Sequence, residues 1–236
     1  MINLQTITKH DLGKYFEPLL LGVSSEKEIR LGCEKAKAYN ARCVNSTPMW
    51  LPVVVECLAG TDVKVGAGIS FPLGTDLPIV KAKACEEYVK RGANSIDFLI
   101  NYDALKAGRY DIIQEEFKMI KHAAAGNECK AIFEVANLTD DQIKKGCELV
   151  LKAGIEWVKT STGQIAGPTM PQLKIIFDAL KGSPVRVKVS GVKAPRPQNA
   201  FAYISAGVEI IGSQNPYEII DSLDLMREMG VIPFQK

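Results

Sequence analysis

Three lysines fall inside runs that otherwise have the composition of buried strands. In IEWVKTSTGQIAGPT, residues 155–169, Lys159 follows Trp157 and Val158, and the β-formers Thr160, Ser161 and Thr162 come after it before Gly163 stops the run. In VRVKVSG (185–191) Lys188 alternates with Val187 and Val189, and Lys130 lies near the start of CKAIFEV (129–135). A buried lysine is costly unless it is paired or has given up its proton. An amine desolvated beside other cations has a depressed pKa and becomes a nucleophile toward carbonyl carbon. Schiff-base formation is therefore the chemistry these residues point to. Spacing alone does not choose among the lysines. A layer of satisfied ion pairs without chemistry would leave the same pattern.

Such side chains need elements to hold them. Eight β-rich runs recur along the chain: PLLLG (18–22), ARCVN (41–45), VKVGAGIS (63–70), SIDFLIN (95–101), CKAIFEV (129–135), EWVKTST (156–162), VRVKVSG (185–191) and VEIIG (208–212). Helical patterns lie between them, among them SEKEIRLGCEKAKAYN, DLPIVKAKACEEYVKRG, YDIIQEEFKMIKHAAAG, TDDQIKKGCELVLKAG, TMPQLKIIFDALKG and RPQNAFAYISAG. Several open on Ser, Thr or Asp and close on Gly or Asn, as capping requires. Strict alternation implies a parallel sheet with helical crossovers. Eight strands without a dividing linker predict one α/β domain over residues 1–236, a single (β/α)8 TIM barrel.

Period-two alternation sorts each strand into faces. The more apolar faces, such as Val185, Val187 and Val189, should meet the helices. The mixed faces then point inward and place Lys130, Lys159, Arg186 and Lys188 against Asp97 and Glu134. Gly66 and Gly68 share the inward face and are expected to leave room for a ligand.

Composition sets the outer bounds. The chain has 236 residues, 47% hydrophobic, enough for one large core. Its 29 basic and 27 acidic residues leave no basic surplus for a nucleic-acid partner. No apolar run reaches the roughly 20 residues that span a bilayer, and MINLQTITKHDLGKYF lacks the apolar core of a secretory signal. The six cysteines show no C-x-x-C spacing, which predicts reduced thiols in a cytoplasmic protein and no zinc site. His10 and His122 fall outside the strands and are expected at the surface. GAGIS lacks the G-x-G-x-x-G spacing of a nucleotide loop and reads as barrel interior.

WVKTSTG, with VRVKVSG downstream and IDFLINYDALKAG upstream, resembles the deoxyribose-phosphate aldolases. The resemblance runs through ARCVNSTPMW, VKVGAGISFPLG and IIFDAL, in the family's order, over residues 25–215. It implies a class I aldolase that uses no metal or other cofactor. Such an enzyme cleaves 2-deoxyribose 5-phosphate reversibly into glyceraldehyde 3-phosphate and acetaldehyde. By match of motif, Lys159 forms the imine, Lys188 lowers its pKa, and Asp97 relays protons with Lys188 and a water. The same match puts Cys43, Thr160, Ser161, Gly163, Ser190, Gly191, Gly212 and Ser213 around the substrate. Backbone amides at Gly163, Gly191 and Ser213 are expected to cradle phosphate.

The chain departs from that pattern in places. Where the family reads Asp-His-Thr-Leu-Leu-Lys, this chain has Phe16-Glu17-Pro18-Leu19-Leu20-Leu21, which sets Glu17 one position off and predicts that it points away from the site. Gln164-Ile165-Ala166-Gly167 stands where many members have a lysine or a glycine-rich turn, Gln214 and Asn215 replace serines, and Gly191 is single where the family has Gly-Gly. Either Lys193 or Arg196 supplies the missing charge, or both are solvated loop residues. The alternatives are a Schiff-base aldolase for another or unphosphorylated aldehyde, a dehydratase or isomerase on the same barrel, and a silent metabolite-binding barrel. A homodimer is the expected assembly.

Overall fold

The computed structural model describes residues 2–23 and 25–232. Eight segments, each with at least one β-branched or aromatic residue, are extended: β1 (Phe16–Leu20), β2 (Cys43–Ser46), β3 (Lys64–Ile69), β4 (Ser95–Leu99), β5 (Glu128–Ile132), β6 (Trp157–Lys159), β7 (Arg186–Ser190) and β8 (Ile210–Ser213). Each pairs in parallel with its successor, and β8 returns to β1, so the sheet closes as a barrel. The fold is the expected (β/α)8 barrel.

A short α1 (Lys9–Leu12) precedes β1. The crossovers are α2 (Glu26–Ala38), α3 (Leu51–Leu58), α4 (Pro78–Lys90), α5 (Tyr102–Lys106) with α6 (Tyr110–Ala123), α7 (Asp140–Ala153), α8 (Met170–Ala179) and α9 (Arg196–Ser205). α10 (Tyr217–Asp221) and α11 (Leu223–Glu228) follow β8. Thr139 and Thr169 open α7 and α8 with reciprocal capping boxes to Gln142 and Gln172, each cap being worth about 1 kcal/mol. α7 buries Ile143, Cys147 and Val150, one helical stripe, against the sheet. The outward strand faces, including Ile96, Phe98, Val158, Val187 and Val189, complete that core. Phe98 meets Phe117 of α6 edge-on at 5.7 Å.

Several elements differ from the sequence reading: α1, α5, α10 and α11 lie outside its helical patterns, β6 is shorter than EWVKTST, and two further differences have a clear physical cause. α3 is absent from the helical patterns above, because Val53, Val54 and Val55 favour a strand locally. Pro52 in its first turn and the need for a crossover between two parallel strands make it helical. β1 begins two residues before PLLLG, and this changes what the barrel contains. Glu17 and Leu19 now face inward and Leu20 packs outward against Gly32 of α2.

All six cysteines are free, and His10 and His122 are exposed. Among the described residues no helix is long and apolar enough to cross a membrane.

Candidate active site

The barrel interior carries charge from bottom to top. At the bottom, Arg42 and Arg186 lie over the Trp157 ring, at 4.9 and 3.9 Å from its centroid. Arg42 holds Glu128 at 2.6 Å and Glu17 at 3.1 Å. Above them Lys130, fully buried, is 2.7 Å from Glu128, 3.3 Å from Asp97 and 3.4 Å from Glu17, and it donates to the Ser95 hydroxyl. Higher still, Lys188 bonds Glu17 and, at 2.6 Å, Oδ2 of Asp97. Lys159 donates to the same Asp97 oxygen at 2.8 Å.

Strand register makes this arrangement. Asp97 pairs across to Lys130, and Lys159 pairs directly with Lys188. Side chains on one face of neighbouring parallel strands share a level, so the two ammonium groups meet on one carboxylate.

The electrostatic outcome is uneven. Burial drives the Lys159 amine down, Asp97 opposes this, and Lys188 adds to it, leaving a pKa of about 8. Burial therefore outweighs Lys188, the neighbour that the family resemblance credits with the shift. Burial would raise the Asp97 carboxyl, but Lys159, Lys188 and Lys130 together hold it well below the usual carboxylate range. Glu17 is likewise lowered: Lys130 and Lys188 override its burial. The interior thus holds carboxylates kept charged by their lysines beside the lowered amine of Lys159.

A mostly apolar cavity of about 220 Å³ opens onto Lys159 and Asp97 at the C-terminal ends of the strands, the usual place for a barrel's chemistry. Leu19, Asn45, Gly68, Phe71, Thr162 and Gln164 are among its walls. A second cavity of about 360 Å³ shares Leu19, Leu21, Thr162 and Gln164 with the first. Gly163, Gly191, Arg196, Gly212, Ser213, Gln214 and Asn215 also line it, and among the described residues Arg196 is the one ionisable wall residue.

Several expectations are corrected. Glu17 points into the barrel and is fully buried, because β1 starts at Phe16; it does not face away. Glu134 is no counter-ion for the lysines: it lies beyond the end of β5 at φ 54 and accepts from the Thr162 backbone at 3.1 Å. Glu17 and Glu128 do that work. Arg186 stays at the bottom rim and is partly exposed. The space left by Gly66 is occupied by Asn45 and Cys43, so that glycine opens no ligand chamber, whereas Gly68 does line the cavity, with the Phe71 ring packed against it.

Of the residues expected around the substrate, Gly163, Gly191, Gly212 and Ser213 line the second cavity. Cys43, Thr160, Ser161 and Ser190 are buried and line neither. Burial pushes the Cys43 thiol up to about 12, with Glu17 adding to the effect. Ser161 donates to the Ser190 carbonyl at 2.8 Å and Thr160 contacts Ser161, bonds that tie β6 to β7 just past the lysines. Sequence reasoning missed Glu128, Arg42 and Phe71. Glu128 was legible, two residues before Lys130 and so on the same face; Arg42 lay within the run ARCVN, where alternation grouped it with the outward Val44, and Phe71 lay just past the run VKVGAGIS.

The chain matches the family model described as DeoC/LacD family aldolase over residues 22–201. A deoxyribose-phosphate aldolase of Streptococcus sanguinis is 36% identical over 203 residues, 86% of this chain and 92% of that protein. One from a Geobacillus species is 34% identical over 215 residues, 90% and 96% of the two chains. Among solved structures, an aldolase designated QR15 matches with a TM-score of 0.84 at 31% identity, covering 93% of this chain and 98% of its own. A deoxyribose phosphate aldolase from Aeropyrum pernix, described as a unique tetramer, matches at 0.83 with 24% identity over 94% of each chain, a likeness of fold.

Proposed function

The chain belongs to the DeoC/LacD family of aldolases and is a carbon–carbon lyase, and from that premise we propose that it cleaves 2-deoxyribose 5-phosphate through a Schiff base on Lys159. The observation that carries this reading is a buried amine, lowered to about 8, facing an apolar cavity beside a carboxylate shared with a second lysine. The neutral Lys159 amine adds to the C1 aldehyde of the open-chain sugar, and loss of water gives the iminium. A base takes the proton from the C3 hydroxyl. The C2–C3 bond breaks, its electrons pass to the iminium, and glyceraldehyde 3-phosphate leaves. The remaining enamine takes a proton at C2, and water releases acetaldehyde and the free amine. Asp97, Lys188 and a water move these protons. Positioned acid–base groups of this kind contribute typically 10²–10⁴-fold.

Borohydride reduction in the presence of acetaldehyde tests the reading. An ethyl group should appear on the Lys159 amine, and kcat/KM should rise with pH through a midpoint near 8, because only the neutral amine attacks. A label on another lysine, or a midpoint near the ordinary lysine value, would remove Lys159 from this role.

A second reading concerns the substrate's far end, since among the described residues Arg196 alone of the second cavity's walls is ionisable. Backbone groups at Gly163 and Gly191 do not depend on side-chain identity and support a phosphate there, but with fewer charged partners. Each missing charge-assisted hydrogen bond is worth roughly 1.5–3 kcal/mol, about 10- to 150-fold. The expected result is a smaller preference for the phosphate ester over free 2-deoxyribose than relatives show. Gln164→Lys should raise the ratio of the two kcat/KM values. If wild type already favours the ester by several orders of magnitude, or the substitution changes nothing, the phosphate end is bound as in other members.

The chain acts as one barrel domain, in the cytoplasm, as a homodimer. Free cysteines support the compartment, and the commonness of two-fold assemblies supports the dimer.

A further inference from the structure

Outside the barrel, between α4 and α6, lies a fully buried ion pair that the reaction does not use. Lys81 of α4 and Glu116 of α6 are both 0% exposed and stand 2.6 Å apart. A buried ion pair is often no more stabilising than its hydrophobic replacement, so the attraction between the two charges does not by itself account for this one. The other bonds of the lysine say what it does. Its ammonium also donates to the Gly74 carbonyl at 2.7 Å and to the Leu99 carbonyl at 2.8 Å. Gly74 belongs to the loop between β3 and α4. Leu99 ends β4, two residues beyond Asp97.

That loop reaches the reactive amine. Gly74 adopts φ +71 and lies so close to the Ile100 carbonyl that a Cβ would overlap it, so the loop is seated on the end of β4. Ser70, itself at φ 63, accepts from the Gly74 amide at 2.8 Å and donates to Asp76 at 2.8 Å. Between them, Phe71 lays its ring into the space left by Gly68, 5.7 Å from the Lys159 ammonium nitrogen, and forms a wall of the catalytic cavity.

We propose that the Lys81–Glu116 pair is a positioning device for the reaction: it pins the β3–α4 loop to the end of β4 and so keeps the Phe71 ring over Lys159. One ammonium thereby ties together the loop that dries the nucleophile and the strand that carries its carboxylate partner. Burial is the largest influence on the Lys159 amine, so losing the ring lets water in and its pKa rises. The charged groups facing Lys81 are Glu116 from α6 and Asp76 from the loop. Those acting on Lys159 are Asp97 from β4, Lys188 from β7 and Glu17 from β1. None of the last three is altered in the test.

The inference rests on the imine reading of Lys159, and borohydride trapping of wild type with acetaldehyde checks that reading separately. The informative variant is the double replacement Lys81→Met with Glu116→Leu, which removes both charges and leaves no buried ion unpaired. It should stay folded at the assay temperature, although the Gly74 and Leu99 carbonyls lose a donor, and the acid limb of kcat/KM should move up by about half a unit or more, with trapping at pH 7 slowed about three-fold or more. Phe71→Ala should shift the limb in the same direction. Combining all three substitutions should shift it little further, because both changes act through one ring. A pair variant that traps and cleaves with the wild-type limb overturns the proposal. So do shifts that simply add, since the pair and the ring would then act separately. If the pair variant is unstable, Lys81→Met alone in the Phe71→Ala background decides: a further large shift refutes the shared route, and no further shift supports it.

Discussion

Lys159→Met yields a folded barrel that neither cleaves 2-deoxyribose 5-phosphate nor retains acetaldehyde after borohydride reduction. The loss should be at least about 10⁴-fold in kcat/KM, since removing a covalent nucleophile leaves only binding and positioning. Lys188 cannot substitute, because it is held by both Glu17 and Asp97. Lys130 sits deeper, among three carboxylates that outweigh its burial and raise its pKa. Stability should not fall. The amine is lowered from 10.5 to about 8 by folding, so the unfolded chain binds the proton more tightly and stability rises as pH passes from about 8 toward 10.5. Below pH 8 the buried charge is a cost, which methionine removes, and the variant at pH 7 should melt at or above the wild-type temperature. Circular dichroism melts and mass spectrometry of the reduced adduct check both halves. Substantial cleavage by a correctly folded variant would end the imine mechanism.

Asp97→Asn is expected to separate imine formation from turnover. Three buried ammonium groups lie within 3.3 Å of its carboxylate; in the variant Lys130 and Lys188 keep Glu17 and Glu128, while Lys159 loses its carboxylate partner. Proton transfer should slow by about 10²–10⁴-fold, while the reduced acetaldehyde adduct still forms. Asp97 acts to raise the Lys159 pKa, so its loss should carry the acid limb below pH 8, opposite to the effect of losing Phe71. Breaking one partner of a buried ionic cluster costs about 3–5 kcal/mol, and a urea titration at pH 7 should show a loss of that order. In wild type this carboxyl is held well below its usual range, so the stability it confers is present above about pH 4 and is lost as pH falls further. The variant lacks that contribution at every pH, and its stability should fall less steeply in acid. An unchanged turnover rate would exclude Asp97 from the proton path.

Much of this was legible in the chain because β-alternation is local. Once CKAIFEV, EWVKTST and VRVKVSG are extended, Lys130, Lys159 and Lys188 must leave the faces that carry Ala131, Val158, Val187 and Val189, whatever the rest of the chain does. Repetition of strand and helix likewise implied a parallel sheet, and eight repeats a closed one. The capping residues Thr139 and Thr169 mark their own helices.

Tertiary structure decided which charges meet. Glu17 is read inward or outward according to where β1 begins, and that start is set by pairing of Phe16 with Ile211 on the last strand, 195 positions away by number in the chain. Arg42 joins Glu17 to Glu128 only because closure brings the first, second and fifth strands around one axis. The three valines of α3 are helical because the crossover requires it, against local preference. Above all, the reactivity of Lys159 is no property of its neighbours in the chain. Its amine is lowered by depth in the barrel and by a lysine one strand over, and desolvation and Coulomb effects depend on distances through space. Sequence could place the lysine on the inner face; only the closed barrel sets its proton affinity.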